Sequence, residues 1–156
     1  MKAYRFVLTR FPDGLSAEGA RVNGGRWNSK GVPVIHCATT ESLALLELRV
    51  HAPHPHPRTR MRFVLEVPND ALHEVAAKEL PRGWNKLPAV SASKRFGDAW
   101  VSARSSLGLL VPSVIASEEK NLVLNPAHER FADVRIVSKS RVTMDMRLYG
   151  STERGR

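Results

Sequence analysis

One acidic residue in an apolar helical segment limits what this chain can fold into. Residues 41–50 have helical spacing, and Glu47 falls in the middle of their apolar arc. That arc consists of Leu43, Ala44, Leu46, Leu48 and Val50. A carboxylate placed there costs several kcal/mol unless it is paired, hydrogen-bonded or protonated. Chains keep such a group mainly where it has a task, so the segment predicts a functional acid.

The segment Gly24-Gly25-Arg26 offers a partner for this acid. A guanidinium is a planar fork that suits a pyrophosphate, and glycine allows a close backbone approach beside it. Two interpretations stay open: a structural ion pair between Arg26 and Glu47, or a phosphate-binding arginine beside a catalytic acid. His36 leaves the same choice, because the strand that holds it leads directly into the Glu47 helix. It is either a packed core residue or part of one cleft with Glu47.

Other polar residues carry weaker signals. Ser113 lies in an apolar run and needs a hydrogen-bond partner, and the lack of a GxSxG motif around it disfavours a serine-hydrolase nucleophile. His51, His54 and His56 suggest a metal, yet prolines separate them and no cysteine or carboxylate completes a ligand set. We therefore predict no metal site. The absence of P-loop and GxGxxG motifs excludes nucleotide binding of those kinds.

Composition narrows the class of protein and its partners. A chain of 156 residues predicts one domain with a real core, and a net charge of +9 predicts an anionic partner. That partner is nucleic acid, a phosphorylated small molecule or an acidic protein. The basic residues are dispersed with few aromatics among them, which disfavours nucleic-acid binding. A single cysteine (Cys37), no signal-peptide core and no membrane-length apolar run favour the cytoplasm.

Hydrophobic patterning predicts an α+β protein. We expect helices at 41–50, with Thr40 as N-cap, at 93–105 and, shorter, within 71–80. We expect strands at 4–8, 26–28, 34–38, 61–67, 109–115, 121–124 and 134–137. Their irregular order argues against a doubly wound sheet. The domain is expected to cover 1–149, followed by a disordered tail at 150–156.

Several ordered segments within residues 4–137 resemble the RES domain family, the toxin component of RES–Xre toxin–antitoxin pairs. The segments are 18–28, 31–38, 43–47, 97–100, 111–114 and 121–126. The defining Arg, Glu and Ser of the family fall on Arg26, Glu47 and Ser113. The resemblance implies an ADP-ribosyltransferase-like core of mixed or antiparallel sheets with flanking helices. It also implies that NAD+ is the substrate.

The resemblance implies a role for each candidate residue. Glu47, His36 and Ser113 are the expected catalytic residues, and Arg5, Arg26 and Asn28 the expected NAD+-binding residues. Cleavage of the nicotinamide–ribose bond passes through an oxocarbenium-like state, which the Glu47 carboxylate can stabilise. Both arginines would bind the pyrophosphate, His36 would contact the cofactor, and Ser113 would orient Glu47 or the ribose. His36 stands where the family usually has tyrosine; some transferase toxins have histidine there.

The expected function is that of a growth-inhibiting toxin that transfers ADP-ribose from NAD+ to a host protein. An NAD+ glycohydrolase or phosphorylase is the alternative, and a non-catalytic nucleic-acid-binding module a remote one. The expected partners are an Xre helix-turn-helix antitoxin that blocks the active site and a host protein as acceptor. No membrane and no direct nucleic-acid contact are expected.

Overall fold

A seven-stranded sheet forms the centre of the protein. The computed structural model describes residues 1–11, 13–51 and 58–149. The strands are β1 (Lys2–Leu8), β2 (Ile35–Ala38), β3 (Thr59–Glu66), β4 (Leu72–Glu74), β5 (Gly108–Pro112), β6 (Lys120–Leu124) and β7 (Arg135–Thr143). Their order is β4-β5-β6-β2-β1-β3-β7, antiparallel throughout except for the parallel pair β4–β5.

Helices flank this sheet, which confirms the predicted α+β class with a mixed sheet. They are α1 (Glu18–Asn23), α2 (Glu41–His51) and α3 (Ser91–Ala103). Short 3₁₀ turns occur at Asn69–Ala71, Ala77–Glu79, Glu129–Asp133 and Met146–Tyr149. Along the described part of the chain, no helix has the length and apolar character needed to cross a bilayer.

The sheet is weakly joined at its middle, between β1 and β2. There the ladder records one pair, Tyr4 opposite Ala38, whereas β1 pairs with β3 along the whole of Lys2–Leu8. Helix α2 packs against both strands beside this seam. The divergence of the two half-sheets opens a cleft, and the seam therefore positions the site described below.

Alternation along the strands builds a core on each face of the sheet. Leu122 and Leu124 of β6 pack into one cluster with Phe63 of β3, while Val123 faces the other cluster. The second cluster contains Trp100 of α3 and Trp27 of the loop before β2. Helix α3 is thus bound to the loop that carries Arg26.

Helix α2 begins as predicted but buries less than its apolar arc indicated. The Thr40 hydroxyl accepts a hydrogen bond from the Leu43 amide at 3.1 Å, which confirms the N-cap. Leu43 and Ala44 are buried against β1 and β2, whereas Leu46 and Val50 point outward with 41% and 55% exposure. The predicted apolar face was therefore too wide, because it included Leu46 and Val50, which lie on a different side of the helix from Leu43 and Ala44.

Two predicted elements are wrong and one was missed. Residues 26–28 form a loop and not a strand: Gly24 has φ +70°, and the Gly25 amide donates to the Asn28 carbonyl at 2.9 Å. Helix α1, which precedes this loop, was not predicted. The expected helix within 71–80 is strand β4 and 3₁₀ turns, since β4 gains a ladder with β5. Strand β7 extends from the predicted 134–137 to Thr143 because it pairs with all of β3.

Three expectations stay predictions. The domain boundaries at 1–149 stay a prediction. The tail at 150–156 lies outside the described residues, and so do His54 and His56. Among the residues that the structure does describe, no group of three or more His, Cys, Asp or Glu could hold a metal ion.

Candidate active site

A cleft of about 680 Å³ lies over the seam between β1 and β2. Its walls come from β1, β2, α2 and the loops after α1, before α3 and after β5. The volume lies within the range of about 300–1,000 Å³ that is typical of small-molecule and cofactor sites. Four predicted site residues line it: Arg5, Arg26, His36 and Glu47.

Glu47 is held in one orientation within this cleft. Its Oε1 accepts hydrogen bonds from Asn121 Nδ2 at 2.5 Å and from Ser113 Oγ at 3.2 Å. Its Oε2 lies 3.4 Å from His51 Nε2, one helical turn further along α2. The side chain is 24% exposed, so it is half-buried and still open to the cleft. A carboxylate with this many donors stays ionised without leaving its position.

Opposing effects act on the pKa of Glu47. Burial raises the pKa, but the hydrogen bonds from His51, Asn121 and Ser113 together outweigh burial. The net pKa is therefore below its ordinary value. Glu47 is an anion at neutral pH and can interact with a developing positive charge.

Ser113 contacts Glu47 and is not among the residues that line the cleft. Its side chain is buried, its Oγ donates to Glu47, and the same Oγ accepts from the amides of Ile115 and Ala116 at 3.1 and 3.2 Å. These two amides fix the hydroxyl so that its proton points at the carboxylate. Of its two expected roles, orienting Glu47 agrees with this geometry, and direct contact with a ribose does not.

Asn28 lies behind the cleft and connects the loop before β2 to His36. It is fully buried, and its Nδ2 donates to the carbonyls of Ala20 and Val32 at 2.8 and 2.9 Å. Its Oδ1 consequently faces His36 Nε2 at 3.3 Å. Direct binding of NAD+ by Asn28 stays a prediction, and the burial of Asn28 and these bonds favour a supporting position behind His36 instead. The sequence alone could not show that Asn28 is buried whereas Arg26, two residues earlier, is only half-buried.

His36 lies at the floor of the cleft, open to it but surrounded by protein. His36 is exposed to the cleft, but desolvation by the surrounding protein, then the charge of Arg5, lowers its pKa to about 4, so the ring is neutral at pH 7. Because Asn28 Oδ1 is an acceptor, the hydrogen-bond network assigns the proton to Nε2 and leaves Nδ1 as an acceptor. A Cβ on Gly25 would lie 3.0 Å from Nε2, so glycine permits the close loop above this ring.

Both arginines are anchored by backbone carbonyls. Arg26 Nη1 donates to the carbonyls of Trp84 and Lys86 at 2.5 and 3.0 Å, and Arg5 donates to those of Gly14 and Ser16 at 3.3 and 2.9 Å. Within the described chain, neither guanidinium lies within ion-pair distance of a carboxylate. The suggested Arg26–Glu47 ion pair is therefore absent there, and both positive charges stay available to an anion.

Helix α3 fixes the loop that presents Arg26. Asp98 accepts hydrogen bonds from the Ser29 amide at 2.8 Å and from the Ser29 hydroxyl at 2.6 Å. Trp27 stacks on Trp84 with ring centroids 6.1 Å apart. The sequence singled out the segment 97–100 only by resemblance. The structure shows that it clamps the Arg26 loop to the body of the protein.

Comparison with known proteins identifies the family of this chain. A family model described as the RES domain matches residues 2–145. The chain is 44% identical over 120 residues to "Prs ADP-ribosylating toxin" of Sphingobium sp. (strain YBL2), covering 74% of each protein. It is 36% identical over 133 residues to "Toxin Res" of Yersinia enterocolitica, covering 84% of this chain and 88% of that one.

A solved structure supports the fold. The protein superposes with a TM-score of 0.76 and 22% identity on a chain from the crystal structure of the M. tuberculosis MbcT–MbcA toxin–antitoxin complex. The match covers 91% of this chain and 84% of that chain. The family match over residues 2–145 and the relatives at 44% and 36% identity establish that this chain belongs to the RES domain family.

Proposed function

We propose that this protein is a toxin that cleaves the nicotinamide–ribose bond of NAD+ and transfers ADP-ribose to a host protein. The observation that carries the proposal is the ionised, half-buried Glu47 in a cleft that also presents Arg5 and Arg26. The cleft therefore combines an anion suited to a sugar cation with cations suited to a pyrophosphate.

The proposed chemistry uses Glu47 as an electrostatic stabiliser. The bond between ribose C1′ and the nicotinamide nitrogen breaks, and nicotinamide leaves with the bonding electron pair. The positive charge then develops on the ribose, where an ionised carboxylate lowers the barrier. A nucleophile of the acceptor forms the new bond to C1′ and loses its proton.

The remaining residues would bind and orient the dinucleotide. In the described part of the chain, Arg26 makes its carbonyl contacts through Nη1 alone, which leaves its other N–H groups to bind phosphate oxygens. Arg5 would contribute a second positive charge from the opposite side of the seam. A neutral His36 offers an acceptor nitrogen to a ribose hydroxyl and a flat ring to the nicotinamide. Asn28 and Ser113 are proposed to position His36 and Glu47.

A protein acceptor is favoured by the surface around the cleft. Val50, Leu87, Val114 and Ile115 line the cleft and are exposed, Leu87 at 76%. Neighbouring exposed apolar residues at the edge of a site are typical of protein docking. The relative that is 44% identical carries the name of an ADP-ribosylating toxin, which supports transfer over hydrolysis or phosphorolysis.

The same apolar rim is proposed to bind an Xre helix-turn-helix antitoxin that blocks the cleft. The structural neighbour was solved as a toxin–antitoxin complex, which supports a partner of this kind. Both the host acceptor and the antitoxin would then be cytoplasmic proteins that compete for one surface. Direct contact with nucleic acid is not part of the proposal.

Incubation with NAD+ labelled in its adenylate half, together with bacterial lysate, tests the proposal. Transfer predicts label on a protein band, lost in Glu47→Gln and kept in Glu118→Gln, a matched change at an exposed acid. Label released as ADP-ribose, or as its phosphate ester, would establish the glycohydrolase or phosphorylase instead. Intact NAD+ with the wild-type protein would refute any NAD+-consuming activity.

A further inference from the structure

Asn121 makes the shortest contact of the Glu47 carboxylate. Its Nδ2 lies 2.5 Å from Glu47 Oε1, compared with 3.2 Å for Ser113 Oγ and 3.4 Å for His51 at the other oxygen. Asn121 belongs to β6, paired on one side with Ala38 of β2 and on the other with Val111 of β5. Its backbone is therefore fixed from both sides, and its amide is a rigid donor into the cleft.

Among the described residues, the Asn121 side chain makes no hydrogen bond to the backbone. The one hydrogen bond recorded for it there goes to Glu47. Asn125, four residues further along, provides the contrast: it is fully buried, its Nδ2 donates to the Val101 carbonyl, and its Oδ1 accepts from the Ala127 amide. Asn125 holds the backbone together, whereas Asn121 lines the cleft and contacts the acid.

The two oxygens of Glu47 are consequently inequivalent. Oε1 accepts from Asn121 and Ser113, and these donors face it from β6 and from the turn after β5. Within 1–11, 13–51 and 58–149, the contact found for Oε2 is with His51, whose side chain is 71% exposed at the end of α2. The donors on Oε1 leave Oε2 as the oxygen with room for a further partner.

We propose that Asn121 is a positioning residue that fixes Oε1, so that Oε2 of Glu47 faces the sugar during bond cleavage. The inference rests on the proposed NAD+-cleaving function and adds a residue to it. An amide suits this position because it donates a proton without bringing a second negative charge. An aspartate of equal size would compete with Glu47 for protons and repel it.

The charged and titratable groups around Glu47 define what pH dependence to expect. His51 on α2, His36 on β2 and Arg26 in the loop before β2 interact electrostatically with Glu47. Tyr4 and Arg5 on β1 and Lys94 on α3 line the same cleft. Asn121 is uncharged, so its removal changes none of these charges. Its removal does take a hydrogen bond from the ionised carboxylate, and the acid limb of the kcat–pH profile should move to higher pH.

The experiment compares NAD+ consumption by the wild type, Asn121→Ala and Asn121→Asp across pH, with Glu118→Gln as surface control. For Asn121→Ala we expect kcat to fall by about tenfold to a hundredfold, because the variant loses one hydrogen bond to a charged group. KM should stay within about twofold of the wild type, and the melting temperature should fall less than it does in Asn125→Ala. Asn121→Asp should lose at least as much kcat.

A parallel measurement does not depend on turnover. The Glu47 carboxyl, followed by 13C NMR, should titrate at higher pH in Asn121→Ala than in the wild type. An unchanged Glu47 titration, an unchanged kcat, or a kcat loss matched by thermal destabilisation would overturn the inference. An inactive wild type would instead refute the proposed function, so the two failures are distinguishable. Asn125→Ala should show the opposite pattern, with lost stability.

Discussion

Gly97 on α3 is where the scaffold can be perturbed with a calculable effect. A Cβ built on Gly97 would lie 1.8 Å from the Trp27 carbonyl oxygen, 2.7 Å from the Trp27 carbonyl carbon and 3.1 Å from its Cα. All three atoms are backbone, so no side-chain rotation relieves the clash. An ordinary C···O contact is about 3.3 Å, so α3 and the Arg26 loop would have to separate by roughly 1.5 Å.

The cost of Gly97→Ala follows from two opposing effects. Alanine favours the helix by about 1 kcal/mol, whereas overpacking a well-packed site costs about 1–3 kcal/mol or more. Because the clash is with fixed backbone, we expect the upper end of that range and a net loss of about 2 kcal/mol. In a chain of this length, that corresponds to a fall in Tm of about 4–8 °C.

Urea and thermal unfolding of Gly97→Ala measure this effect, with Gly19→Ala as the matched control. Gly19 lies in α1, and a Cβ there meets nothing within 4 Å. Gly19→Ala should therefore be neutral or stabilising by up to about 1 kcal/mol. Equal stability of the two variants would refute the view that α3 clamps the Arg26 loop by direct backbone contact.

Three further outcomes are expected. In His51→Gln the pKa of Glu47 should rise, because His51 contributes the largest of the hydrogen bonds that lower it. On acidification, the variant should therefore lose activity at a higher pH than the wild type does. An unchanged acid limb of the pH–activity profile would argue against the contact between His51 and Glu47. Asn28→Ala should cost about 1–3 kcal/mol in urea unfolding, since two carbonyls lose their donor, and wild-type stability would contradict its role as a brace for His36. Burial raises the pKa of Cys37 to about 11, so folded protein at pH 8 should react with iodoacetamide far more slowly than unfolded protein; equal rates would refute that burial.

Much of the fold was predictable from local pattern. The apolar runs of β2, β5 and β6 and the cap of α2 follow from residue type and spacing, and the structure confirms them. Strand β4 could not be found this way, because three residues become a strand only through pairing with β5. The outer half of β7 is exposed and polar, so its pairing with β3 left no hydrophobic signal.

The candidate site was predictable in its charged groups and not in their supports. Glu47 drew attention because an acid among leucines demands an explanation, and Arg26 because of its glycines. The contacts of Asn121 with Glu47 and of Asp98 with Ser29 join residues that are far apart in sequence. Polar residues of this kind are common in loops and strand ends. Only the folded structure shows which partner each of these polar residues contacts.

Nicotinamide release by the wild type and by Glu47→Gln tests the central claim most directly. Glutamine keeps the size and an acceptor oxygen but removes the negative charge that is proposed to stabilise the ribose cation. The account predicts a fall in the rate of about a thousandfold, with a melting temperature close to that of the wild type. A glutamine variant that releases nicotinamide at the wild-type rate would contradict the account.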